Sequence, residues 1–260
     1  MVPGVLRAKS FMKSPSLLTI VSLTVAVFSF DSSAQIIFSD DFESYSSDSE
    51  LTATWSRVSG TGTSILLAAD PTNPSNQTIQ QTTVAGRLRH VISGVNPTDA
   101  APLLLSFDFY DSNGGTTSGR QYVEIRNSGV TGGLFDVGLI NSVNTGTYAQ
   151  GAYQARDIDN GNWVQLGVAR SVGWHHFELL IEGFSATLSI DGIVDPSFSD
   201  RAWNGGASYD WLHIGSALTS NTDAYYDNIS LAVVPEPSVY VAVFGALALG
   251  VAVIRRRVKS

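Results

Sequence analysis

The chain has no cysteine, and between Gln35 and Val234 it has no lysine. The first absence removes disulfides, thiolate nucleophiles and cysteine metal sites. Stability must come from a packed core, a bound ion, or both, and about 200 residues are enough for one such core. The second absence shows how charge is placed. Seven of the 15 basic residues lie at the ends: Arg7, Lys9, Lys13, Arg255, Arg256, Arg257 and Lys259. The long middle holds eight arginines against 21 Asp and Glu, a balance of about −13. That sign argues against nucleic acid and anionic lipid surfaces as its partners. Motifs are missing too. There is no Gly-x-Ser-x-Gly elbow, no phosphate-binding loop and no EF-hand spacing. No repeat of fixed period occurs, and no stretch shows helical periodicity with caps.

Long hydrophobic runs are confined to the two ends. Arg7, Lys9 and Lys13 precede an apolar stretch from Leu17 to Phe30, which closes on Ser32-Ser33-Ala34. This is the layout of a secretory signal peptide over residues 1–34, with cleavage expected between Ala34 and Gln35. At the other end, Val234-Pro235-Glu236-Pro237-Ser238 is followed by 16 apolar residues, Val239 to Ile254, and then by Arg255-Arg256-Arg257. Sixteen helical residues span roughly 24 Å, so with Ser238 and the snorkelling arginines they can only just cross a hydrocarbon core of roughly 30 Å. The expected transmembrane segment is 238–254. The basic end, 255–260, stays cytoplasmic by the positive-inside rule.

The proline-flanked Glu236, the apolar run and the arginine stop, in that order, resemble the PEP-CTERM sorting signal of Gram-negative bacteria. The same tail is also labelled an ice-binding protein C-terminal domain. That label does not imply ice binding, and Thr61, Thr63, Thr82, Thr83, Thr116 and Thr117 follow no period that would make a flat ice-binding face. The resemblance covers residues 234–260. It implies recognition by an exosortase, cleavage near Pro235-Glu236-Pro237 and an association with exopolysaccharide. The expected destination is the cell surface or extracellular matrix, with the inner membrane as a stage in transit. The prolines agree with this physically, because they hold an extended segment that cannot join a helix.

The middle, 35–233, reads as short alternating strands broken by Gly, Asn, Asp, Ser and Thr. Leu103 to Tyr110, Gln121 to Arg126, Leu134 to Ile140 and Asn162 to Val168 are examples. The expected fold is an all-β antiparallel β-sandwich of jelly-roll type. Phe177, Leu179 and Ile181 share one strand face, and Ala186, Leu188 and Ile190 share the next. Glu182 to Ser185 makes the turn between them, and Asp191-Gly192 a second turn. This Trp174-His175-His176, strand, turn, strand, Asp-Gly pattern resembles the concanavalin A-like and laminin G-like sandwiches, of which many bind carbohydrate. Ser39 to Tyr45 and Tyr225 to Leu231 resemble the paired first and last strands of carbohydrate-binding sandwiches.

Four acids at these ends, Asp40, Asp41, Glu43 and Asp227, are candidate ligands for a structural calcium, or else solvated acids of turns. Glycoside hydrolysis needs two carboxylates about 5 to 10 Å apart. Glu178 and Glu182, about 13 Å apart along one strand, are too distant. The Glu-x-Asp-x-x-Glu strand of glucanases with this fold does not occur. His175 and His176 are adjacent and should face opposite ways, so they do not form one site. In the segment Arg201 to Trp211, Trp203 and Tyr209 are candidate sugar-stacking rings, and Trp211 is assigned to the core. These readings favour an exported, non-catalytic structural or adhesive domain with polysaccharide as a candidate partner. The alternative is a polysaccharide-acting enzyme with an unfamiliar active site.

Overall fold

The structure is a computed structural model that describes residues 34–129, 134–140, 150–156, 163–202 and 208–234. The expected signal peptide up to Ser33 and the expected sorting tail beyond Val234 lie outside these residues, and with them Pro235, Glu236, Pro237, Arg255, Arg256 and Arg257. Among the described residues no helix is long and apolar enough to cross a membrane.

Among the described residues sixteen strands follow one another. They are β1 (Gln35–Asp40), β2 (Ser56–Ser59), β3 (Ile65–Ala69), β4 (Gln77–Gln81), β5 (Arg87–Val95), β6 (Leu103–Asp111), β7 (Tyr122–Arg126) and β8 (Leu134–Gly138). Then come β9 (Ala152–Arg156), β10 (Trp163–Ala169), β11 (Gly173–Ile181), β12 (Ser185–Ile190), β13 (Ile193–Val194), β14 (Arg201–Ala202), β15 (Tyr209–Ile214) and β16 (Ala224–Val233). They form two antiparallel sheets. The first runs β13-β12-β11-β6-β16-β4-β3, with β1 added along β16 and β14 along β12. The second runs β10-β9-β8-β7-β15-β5-β2. This is the expected β-sandwich.

Alternation explains the packing, because successive side chains on a strand face opposite ways. Phe177, Leu179, Ile181, Ala186, Leu188 and Ile190 are all fully buried, as their spacing requires. Between the sheets, Phe107 and Phe177 stack with centroids 5.1 Å apart, while Tyr153 of the second sheet meets Phe177 edge-on at 5.2 Å. The Asp191-Gly192 turn has positive φ at both residues, 54° and 75°, which matches the twist of a tight hairpin. The Asp191 carboxylate accepts from the backbone N–H of His176 and bonds the His175 ring at 2.7 Å. The two histidines do part, His175 to the interior and His176 to the surface, where it meets Asp108 at 2.6 Å.

The ends of the sandwich pair as expected, with Gln35 opposite Val233 and Asp40 opposite Ile229. Strand β16 is central: β6 lies on one side, and β4 then β1 share the other. The change of neighbour coincides with a bulge between Asp227 and Ser230, where Asn228 takes φ 48°.

One element differs from expectation. Residues Asp48–Thr54 form a helix, α1, of seven residues. Ser47 caps it by accepting from Glu50 N–H, and the Glu50 carboxylate reaches back to the Ser46 N–H at 2.6 Å. This is a capping-box pattern on a helix too short to show periodicity.

Candidate functional site

The second sheet turns Leu88, Val123, Ile125, Phe135, Val137, Tyr153, Ala155, Leu212 and Ile214 toward the core. Alternation therefore puts Arg87 and Arg89, Tyr122, Glu124 and Arg126, Asp136, Gln154 and Arg156, and His213 on the opposite face. That face is hollow rather than flat. Trp163 of β10 and Tyr122 of β7 lie three strands apart, about 14 Å in a flat sheet. Their ring centroids are only 5.4 Å apart. Likewise Arg87 of β5 reaches over β15 to the Tyr122 hydroxyl at 3.0 Å. The sheet curls around this face, and Glu124, Asp136, Gln154 and His213 are buried beneath it.

Its chemistry centres on two carboxyls. Glu124 and Asp136 stand opposite each other on β7 and β8. At such a position each carboxyl acts on the other's protonation. Burial, then the neighbouring Glu124, pushes Asp136 well above the usual carboxylate range. Burial would raise Glu124 as well, but the His213 hydrogen bond and the Arg87 guanidinium outweigh it and hold Glu124 at about 2. Burial keeps the His213 ring below its ordinary value, so it is neutral at pH 7 and its Nδ1 donates to Glu124 at 2.5 Å. Arginines surround the pair: Arg87 and Arg126 lie 3.6 and 3.8 Å from Glu124, and Arg156 lies 3.7 Å from Asp136. Arg120 adjoins Tyr122 and Asp136, and Arg89 lies 4.6 Å above the Trp211 ring. Among the described residues, the Nε atoms of Arg89, Arg120, Arg126 and Arg156 are buried without an acceptor. Buried guanidinium donors are rarely left so.

The aromatic assignments reverse. Tyr209, expected as an exposed ring, is fully buried in the core beside Phe135. Trp211, expected in the core, lies half-buried in the hollow, paired with Arg126 and Val91. In a regular strand residues 209 and 211 would share a face. A register irregularity between them breaks the alternation and sends them to opposite sides. Trp203 lies outside the described residues.

The four candidate calcium ligands do not converge. Asp40 accepts from Phe42 N–H through Oδ1, and from the Tyr45 hydroxyl and Trp55 Nε1–H through Oδ2. Glu43 accepts from Gln77 N–H, Asp227 from Asn76 and from Asn228 N–H, and Asp41 from Glu43 N–H. The backbone carbonyls of Phe42 and Tyr45 both accept from the Gln77 amide. Protein donors thus reach an oxygen of each of the four acids. Among the described residues no group of three or more His, Asp or Glu is arranged to hold a metal ion.

A second constellation imitates a catalytic triad. Ser171 Oγ lies 3.1 Å from His175 Nε2, and Asp191 lies 2.7 Å from Nδ1. However, the backbone carbonyl of Ser171 is nearer to Nε2, at 2.9 Å, and a carbonyl can only accept. Ser171 Oγ therefore competes with its own backbone carbonyl for Nε2. The group is a clip that ties the β10–β11 connection to the Asp191 turn.

No family model and no curated protein matches the chain. Solved structures do. The carbohydrate esterase vb_24B_21 from the Shiga toxin-encoding bacteriophage phi24B is similar over 77% of this chain and 99% of that one, with 15% identity and a TM-score of 0.50. The cellulose-induced protein Cip1 is similar over 75% of this chain and 96% of that one, with 12% identity and a TM-score of 0.50. At such identities the likeness is one of fold, and it agrees with the two antiparallel sheets as a jelly-roll sandwich.

Proposed function

We propose that this chain is an exported bacterial surface or matrix protein whose β-sandwich binds polysaccharide in the hollow of its second sheet. A signal peptidase would remove residues 1–34, and an exosortase would act near Pro235-Glu236-Pro237. The single observation that carries the binding reading is the hollow itself. It is a curled polar face with buried, unpaired guanidinium donors beside the rings of Trp163 and Trp211. Hydrogen-bond donors beside apolar rings are what a sugar offers partners for. Both matched structures carry names tied to carbohydrate, which agrees with this reading without carrying it. The processing scheme is supported by the strand ends: β1 starts at Gln35 and β16 stops at Val233, next to the two expected junctions. The mass of the mature protein tests it, since an intact arginine end in cells with an active exosortase would defeat the sorting signal.

One observation favours an enzyme as the second reading. Glu124 and Asp136 have their carboxyls driven in opposite directions, the usual arrangement of an acid and a base. Against this, the two residues stand directly opposite on neighbouring strands and are engaged by His213, Arg87 and Arg156 rather than flanking an open gap for a glycosidic bond. Binding without turnover is therefore placed first. The two readings separate when the protein is incubated with a polysaccharide panel. Retention with no new chain ends supports binding. Release of new ends, lost in Glu124→Gln, establishes the enzyme.

A further inference from the structure

We infer that the polysaccharide is acidic, and that the hollow grips its carboxylates through arginine. This deepens the binding reading and rests on it. The argument begins with distribution. Between Gln35 and Val234 the chain has eight arginines, and five of them, Arg87, Arg89, Arg120, Arg126 and Arg156, surround one hollow. The other three, Arg57, Arg170 and Arg201, have other positions and partners. A strongly acidic domain thus concentrates its positive charge on a single face.

Among the described residues, arginines outnumber the carboxyls buried in that face. Five guanidiniums surround two carboxyls, Glu124 and Asp136, in the pair at the centre. Like charges gathered over buried groups repel one another and destabilise the fold unless an anion joins them. Four of the five also keep a buried Nε–H without an acceptor. Guanidinium matches a planar carboxylate with two parallel hydrogen bonds, which lysine cannot do. The exclusive use of arginine in this domain agrees with that geometry. Trp211, already under Arg89 at 4.6 Å, supplies a flat apolar surface for a sugar ring beside the charge. A chain carrying a carboxylate on successive rings would meet both features in turn.

The test measures retention of the full-length chain, in mild detergent, on three polymers of equal length: a polyuronate, a sulfated glycan and a neutral glucan. The expected result is at least tenfold tighter binding to the polyuronate than to the glucan, weakened as salt rises. Arg89→Ala and Arg156→Ala should each lower polyuronate affinity about tenfold. Arg89→Lys should give an intermediate loss, because charge remains and the fork does not. Arg201→Ala, which removes the same charge from the other sheet, should leave affinity unchanged. If Arg89→Ala lowers the melting temperature, Arg89→Lys and Arg156→Ala decide the matter. Equal binding to glucan and polyuronate, dependent on Trp211 and indifferent to Arg89, would overturn the acidic ligand and keep the binding domain. Preference for the sulfated glycan would overturn the carboxylate. Binding to none of the three would overturn both the ligand and the proposed function.

Discussion

Replacing Arg170 by Met should destabilise the sandwich by about 3–5 kcal/mol, the usual effect of stranding one member of a buried ion pair. Arg170 is fully buried and Asp111 almost so, and two bonds of 2.7 and 2.9 Å join them. Arg170 also donates to the carbonyls of Thr117 and Gln150 at 3.2 and 2.8 Å, closing two loops over the end of β6. Methionine keeps the apolar stem and loses all four bonds. Asp111 would retain the N–H groups of Asn113 and Gly114 and the Tyr153 hydroxyl. For a domain of this size, about 2–4 °C per kcal/mol gives a fall in melting temperature of roughly 6–20 °C. The effect must also depend on pH. Burial pushes the Asp111 carboxyl up, but Arg170 outweighs it and holds the group below its ordinary value of 3.8. In the native protein, then, Asp111 contributes stability above the unfolded value that is lost as pH falls through the folded one. In the variant burial prevails, the folded value rises, and acid relieves the stranded charge by protonating it. The gap between the two proteins should narrow from pH 7 to pH 4. Urea titrations across that range measure it. A gap below about 1 kcal/mol at pH 7, or one that stays constant with pH, would refute the reasoning.

Three further outcomes are expected. Burial and the nearby Asp108 and Glu43 raise Asp227 to about 6, above its unfolded value, so the native state holds an extra proton between about pH 4 and 6. Stability should therefore increase as pH falls from 7 to 5, by about 1 kcal/mol after allowance for solvent screening, and Asp227→Asn should flatten that part of the profile. A chelator should leave the melting temperature unchanged, because the oxygens of Asp40 are held by Phe42, Tyr45 and Trp55; a fall of more than a few degrees would restore a metal. An activated phosphonate ester should leave Ser171 unlabelled at neutral pH, and mass spectrometry of the tryptic peptide would show any adduct.

The sandwich was legible because its strands bury one face each. Spacings such as Phe177, Leu179 and Ile181 leave no other regular structure open. The Asp191-Gly192 turn was legible from its residues, which tolerate positive φ. Helix α1 was not, since seven residues cannot show a period and its trace was one Ser47-to-Glu50 spacing. The hollow was hidden for a different reason. Tyr122, Glu124 and Arg126 follow the ordinary alternation of any half-exposed strand. What makes them a site is register and curvature, which place Asp136, His213 and Arg87 around Glu124 from other strands. Net charge misled in the same way, since a sum near −13 conceals five arginines on one face. The exchange of Tyr209 and Trp211 depends on an irregularity in strand pairing that no local motif announces.

The position of β16 sets the order in which this molecule can be built. The first sheet has its last strand at its centre: β6, β4 and β1 all bond to residues 224–233. A ribosome or a translocation pore delivers those residues after every other strand. Until they arrive, β1 has no neighbour at all and β4 lacks one edge, so the sheet exists only as separate halves. Gln35 then closes against Val233 across nearly the whole length of the domain, a slow event by the entropy of loop closure. The first sheet stays open while the chain is being made, and it locks when this strand is delivered.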